Sequence, residues 1–222
     1  MATGFILYAF NQVVIWQNRA VGISVRQFEQ MKDRLGGRSR MAAPVLESGL
    51  TRNASAHRII LGVDPSLRGT GYGVIEITKP GPRALAFGKV ACPASWPHSQ
   101  CLVHIAGTLR EVIRKHHPSL CVIEGLFFAQ NLQTALTMGE ARGAALATIG
   151  ETGIEIYELA PRKVKQAIVG YGAAQKIAVA KMVQRMLHLT EVPPPDAADA
   201  LALALAHAQE NGRYSLNAPK RI

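Results

Sequence analysis

The sequence predicts an α/β domain built around a mixed sheet. Three observations lead there. Two short apolar runs, residues 59–63 and 120–123, have the uninterrupted character of strands buried on both faces, and each ends on an acid, Asp64 and Glu124. Two further strand-like segments follow the first run at hairpin distance. From residue 102 onward, helical and extended patterns alternate.

The elements follow in chain order. Residues 1–18 carry no charge, but Asn11 and Gln12 divide the apolar stretch. No basic residue precedes it and no small-x-small site follows closely, so neither a membrane span nor a secretory leader is expected. The rest of the segment to residue 57 reads as a linker with one short amphipathic helix at about residues 25–35. Residues 1–57 are therefore expected to be an N-terminal extension, disordered or arising from an over-called start whose true position is near Met41 or later. The organised domain spans 58–212, followed by a tail at 213–222.

Within the domain, Pro65 to Gly71 forms a turn rich in Gly and Ser, and residues 72–77 and 84–91 complete three antiparallel strands. Leu102, Ile105, Leu109, Val112 and Ile113 share one helical face, with Arg114, Lys115 and two histidines in the last turn and Pro118 beyond it. After the run 120–123 come a long helix at 132–150, an alternating strand at 154–159, a helix opened by Pro161 and closed at Gly170, and a helix with Val179, Met182, Val183 and Met186 on its apolar face. Pro193 to Pro195 break the chain before an Ala/Leu-rich helix at 196–209.

Composition bounds the function. With 48% hydrophobic and 18% charged residues the chain can build a substantial core, which excludes wholesale disorder. A net charge of +10 makes a polyanion, nucleic acid above all, the default partner. The segment before Arg58 contributes +4 of this and the remainder +6, so the basic character is not confined to the extension. Cys92, Cys101 and Cys121 lack metal-ligand spacing and read as buried reduced thiols of a cytoplasmic protein.

Four carboxylates stand out. Asp64 and Glu124 end apolar strands at a sheet edge, where sites form. Asp196 and Asp199 lie three apart, on one face of the last helix. Taken singly, Asp64 is equally a turn residue before Pro65, and Asp196 equally an N-cap. As a set they resist that reading, because Asp199 is flanked by Ala in a helix otherwise nearly uncharged. If the four converge, each pair of like charges at about 4 Å costs on the order of 4 kcal/mol at an effective dielectric near 20, so protons or cations must compensate. Without His or Cys at ligand spacing, an all-oxygen set selects a hard ion, Mg²⁺ or Mn²⁺. Acids inside a basic domain suit metal-assisted phosphodiester hydrolysis.

The segments GVDPSLRGTGYGVIE (62–76), VIEGLFFAQN (122–131), GEARGAAL (139–146), PRKVKQAIVGYG (161–172) and PDAADALALALAH (195–207) resemble, in order and spacing, the motifs of the RuvC family of crossover junction endodeoxyribonucleases. The resemblance implies an RNase H-like mixed five-stranded sheet flanked by helices. It also implies a homodimer that resolves four-way (Holliday) DNA junctions by paired nicks during recombination and repair. It places the catalytic and metal-binding acids on Asp64, Glu124, Asp196 and Asp199, with two Mg²⁺ ions for which Mn²⁺ can substitute. DNA contacts fall on Phe127, Lys165 and Lys176, and a branch-migration complex is the implied partner. Gly125 and Leu126 after Glu124, the doubled aromatic at Phe128 and the N-terminal extension depart from the pattern.

The residues support these roles with plainer alternatives beside them. One of Phe127 and Phe128 belongs to a core as readily as to a base-stacking surface. A lone Lys is usually just solvated, although Arg162, Lys163, Lys165, Lys176, Lys181 and Arg185 cluster in two adjacent helices. Gly139 and Gly143 suit close packing of a helix, within the chain or across a dimer. Three other functions compete: an RNase H-like nuclease for other branched or single-stranded nucleic acid, a non-catalytic junction-binding module, and an actin-like ATPase suggested by Gly69, Gly71 and Gly73. The last lacks the length for a second lobe.

Overall fold

The computed structural model describes residues 59–125, 131–210 and 220–222, all of which belong to the compact unit Leu50–Ile222. The strands are β1 (Ile59–Asp64), β2 (Gly69–Glu76), β3 (Arg83–Ala91), β4 (Leu120–Glu124), β5 (Glu155–Leu159) and β6 (Lys220–Arg221). The helices are α1 (His98–His116), α2 (Leu132–Gly150), α3 (Pro161–Val169), α4 (Lys176–Met186) and α5 (Pro195–Glu210). The helix expected at residues 25–35 lies outside the described residues.

The sheet order is β3-β2-β1-β4-β5-β6. β1, β2 and β3 pair antiparallel, β1–β4 and β4–β5 pair parallel, and β6 returns antiparallel on β5. The expected five-stranded sheet is thus corrected to six strands. Lys220 and Arg221 cover the β5 edge, Arg221 pairing with Glu155 at 2.8 Å, and two polar residues give no strand signal in the sequence.

Strand parity divides the core into two layers. On one face Ile60, Ile75, Leu120, Val122 and Leu159 pack with α3, α4 and α5. On the other, Leu61, Val63, Val74, Cys121, Ile123 and Ile156 pack with α1 and α2. Helix ends follow local chemistry: Asn131 caps α2 by accepting from the Gln133 amide at 2.8 Å, and Gly170 ends α3 at φ 98°. Cys92, Cys101 and Cys121 are buried free thiols, as their apolar neighbours suggested.

α5 lies unusually close to the sheet. A Cβ on Gly62 would sit 1.9 Å from the Ala200 carbonyl oxygen, and one on Gly71 2.0 Å from that of Asp196. Only glycine permits this contact. Small residues on α5 complete it, with Ala197, Ala198, Ala200, Ala202 and Ala204 all buried.

Candidate active site

The same parity that sorts the core places the acids. In β1, Ile60 faces α5, so Gly62 and Asp64 do as well. In β4, Leu120 and Val122 face α5, and Glu124 follows. Parallel pairing of β1 with β4 sets the two strand ends side by side, and α5 brings Asp199 over them.

Asp64 and Glu124 share a side-chain hydrogen bond. Burial pushes the Asp64 carboxyl from 3.8 up to about 8; the Glu124 charge, the hydrogen bond to it and the Asp199 charge add to the shift, while the Lys176 ammonium opposes it. Burial also raises Glu124, aided by Asp199 and countered by the hydrogen bond from Asp64 and by the charges of Lys176 and Lys165. One proton between two carboxylates is how this pair avoids a double buried charge.

The other two acids meet ammonium groups. Lys176, at the start of α4, donates to Asp199 at 2.8 Å, and that bond holds its own pKa above the usual lysine value. Lys89 of β3 pairs with Asp196 at 2.7 Å. Asp196 is the second residue of α5, so it does not cap the helix; Pro194 precedes the first turn and its carbonyl accepts from the Ala198 amide at 2.8 Å. Asp196 and Asp199 therefore leave one helix toward different neighbours, β3 and α4.

Asp64, Glu124 and Asp199 are thus brought into mutual electrostatic contact, and Asp196 stands beside them on Lys89. As they stand, no three His, Cys, Asp or Glu side chains among the described residues form a group able to hold a metal ion. A shared proton and two ammonium groups do the compensating. The groups that meet here are all oxygen donors, the chemistry that suits a hard divalent cation, which would take over the compensation.

Lys165 on α3 lies near enough for its charge to act on Glu124, so both lysines singled out in the sequence border the acids. Phe127 and Phe128 lie outside the described residues. Lys89 was not anticipated, and neither was Arg142. Arg142 is a lone cation in a Gly/Ala-rich stretch of α2, and that isolation was the one signal available.

Among the described residues, no helix is long and apolar enough to cross a membrane. The family profile for crossover junction endodeoxyribonuclease RuvC matches residues 60–207. The chain is 42% identical over 149 residues to the crossover junction endodeoxyribonuclease RuvC of Chloroflexus aurantiacus, covering 67% of this chain and 91% of that protein. It is 44% identical over 148 residues to that of Akkermansia muciniphila, covering 67% and 89%. The Thermus thermophilus RuvC structure in complex with a Holliday junction substrate superposes with a TM-score of 0.68 at 32% identity, covering 75% of this chain and all of that one.

Proposed function

The chain belongs to the RuvC family of crossover junction endodeoxyribonucleases and has its RNase H-like fold, and from that premise we propose that it resolves four-way DNA junctions through the acids at the α5 face of the sheet. The observation that carries this is the meeting of Asp64 and Glu124, from adjacent parallel strands, beneath Asp199 of α5.

In this reading Asp64, Glu124, Asp196 and Asp199 would hold two Mg²⁺ ions. The metals supply activation of water and stabilisation of the leaving oxygen. With cations bound there, Asp64 would no longer need its proton to offset Glu124, and the set would be fully anionic. Lys176 and Lys89, released from Asp199 and Asp196, are placed to meet the phosphate backbone, and Lys165 extends that cationic border. Phe127, three residues after Glu124 in the sequence, is the residue assigned to stack on an unpaired base at the junction. The resemblance supports a cytoplasmic place of action, with a branch-migration complex as the partner that delivers the junction.

A junction presents two strands to cut, and each chain carries one set of acids, so a two-fold homodimer is the acting form. Supporting the α2 face as the contact, Leu132 is 77% and Leu136 55% exposed, and nothing approaches within 4 Å of where a Cβ on Gly139 or Gly143 would lie. Gly143→Leu is expected to lower the dimer fraction in sedimentation; an unchanged dimer removes α2 from the interface.

The deciding experiment incubates the full chain with a four-way junction, a flap, a single strand and a linear duplex of matched sequence. Paired nicks confined to the junction, dependent on Mg²⁺ and abolished by EDTA, are expected. Cutting in EDTA overturns the metal role, and preference for the flap or single strand assigns a different substrate.

A further inference from the structure

A part-buried charge pair on the far side of the sheet is not explained by the reaction. Arg142 sits in the middle of α2 and is only 7% exposed. A guanidinium in that position is costly unless its donors are met. Its Nη1 donates to the backbone oxygen of Glu124, and its Nη2 donates to Oε2 of Glu158.

Glu158 belongs to β5, in register with Ile123, one residue before Glu124. Its stem lies against the residue that follows β4: a Cβ added to Gly125 would come 3.2 Å from the Glu158 Cγ. From the β5 main chain, the Leu159 oxygen accepts from the Gly125 amide at 2.8 Å. The exit of β4 is therefore held by a main-chain bond to β5 and by the Arg142–Glu158 pair reaching in from the α2 side.

Strand parity gives this clamp its meaning. The Glu124 carboxyl leaves the sheet on the α5 face, toward Asp64, while Arg142 grips the carbonyl of the same residue from the α2 face. The grip leaves the carboxyl free for chemistry and fixes the backbone that aims it. We infer that Arg142, oriented by Glu158, is a positioning residue for Glu124 and ties the setting of that carboxylate to helix α2. The inference rests on the proposed role of Glu124 and deepens it. If α2 is also the dimer contact, assembly and the aim of Glu124 share one rigid helix.

The test uses the full chain and four readouts. These are single-turnover nicking at saturating junction in Mg²⁺, junction Kd in Ca²⁺, Mn²⁺ affinity of the DNA-free protein by calorimetry, and thermal unfolding. Arg142→Lys, whose single ammonium cannot span both acceptors, is expected to slow nicking and weaken Mn²⁺ binding by about 10–100-fold, as losses of groups supporting metal ligands do. Junction Kd in Ca²⁺ stays within about two-fold, because the DNA-facing lysines are untouched. Glu158→Gln keeps an acceptor but loses its charge, and gives a smaller loss in the same direction.

In a Glu124→Gln background, Arg142→Lys should cost no further Mn²⁺ affinity, since the group it positions is already lost. A role confined to stability predicts the reverse: a lower Tm, a weaker junction Kd, and the same fractional loss of Mn²⁺ affinity in both backgrounds. That pattern overturns the inference. If Arg142→Lys does not fold, a folded Glu158→Gln that nicks and binds Mn²⁺ as the parent does overturns it equally. Glu124→Gln that itself nicks at the parental rate removes Glu124 from the site, and the positioning role falls with that assignment.

Discussion

The two faces of the sheet are covered in opposite ways. On one, α5 presses so closely on β1 and β2 that glycines 62 and 71 have no room for a methyl group. On the other, α2 buries Ala141, Arg142, Ala145, Thr148 and Ile149 and leaves Leu132, Leu136 and the open glycines 139 and 143 outward. The tight face fixes Asp199 over Asp64 and Glu124, where a displacement of an ångström changes the chemistry. The open face leaves apolar surface exposed, which is what the proposed dimer contact would use. Close packing and exposed apolar surface are here divided between two helices of one domain.

The largest effect that tests this division lies on the tight face. Asp64→Asn, Glu124→Gln or Asp199→Asn should each cut junction nicking by about 10²–10⁴-fold while junction binding in Ca²⁺ persists. In the proposed function binding draws on Lys and Arg and cutting on the acids; a variant that nicks normally has lost its place in the site. Next comes packing. Gly62→Ala must displace α5 or β1, because its Cβ would lie 1.9 Å from the Ala200 oxygen, and it should cost about 1–3 kcal/mol in denaturant unfolding.

A pH effect on stability follows from Asp64. Its carboxyl is raised from 3.8 to about 8 in the folded protein, so folding favours the protonated form. The resulting stability is fully present below about 3.8 and is lost as pH climbs to about 8. In EDTA, Tm should fall across that window, with a shallower fall in Asp64→Asn. An equal slope in the two proteins contradicts the shift.

On the open face the sign of the glycine substitution reverses. Gly143→Ala meets no atom of its own chain within 4 Å and should stabilise the monomer by about 0.5–1 kcal/mol, the usual gain for Ala over Gly in a helix. Destabilisation there would erase the contrast between the faces. The smallest effect is at the rim. Lys89→Ala frees Asp196 from an ammonium that is itself 45% exposed, and should tighten Mn²⁺ binding by the DNA-free protein only a few-fold. Weaker binding would mean that Lys89 supports the site instead of competing for it.

Much of this was determined by the sequence alone, for local reasons. Alternation along residues 59–64 and 120–124 already puts Asp64 and Glu124 on one face if the two runs pair, and Asp196 and Asp199 share a helix turn because they are three apart. The helix expected at 132–150 is found there. Membership of the family could be read from motif spacing. The partners of these residues could not, because they depend on register and helix placement across long separations. Lys89 is the clear case. It lies opposite Gly71, on the α5 face, only because the β2–β3 register shifts between Val74 and Ile75. Without that irregularity the residue opposite Gly71 would be Gly88, and Lys89 would point to the other side. Arg142 likewise reads as a surface cation until α2 is docked on the sheet, and β6 becomes a strand only because the β5 edge is open to receive it. Parity and periodicity are properties of neighbours along the chain; register, docking and edge pairing belong to the folded whole, and they decided what each charged group meets.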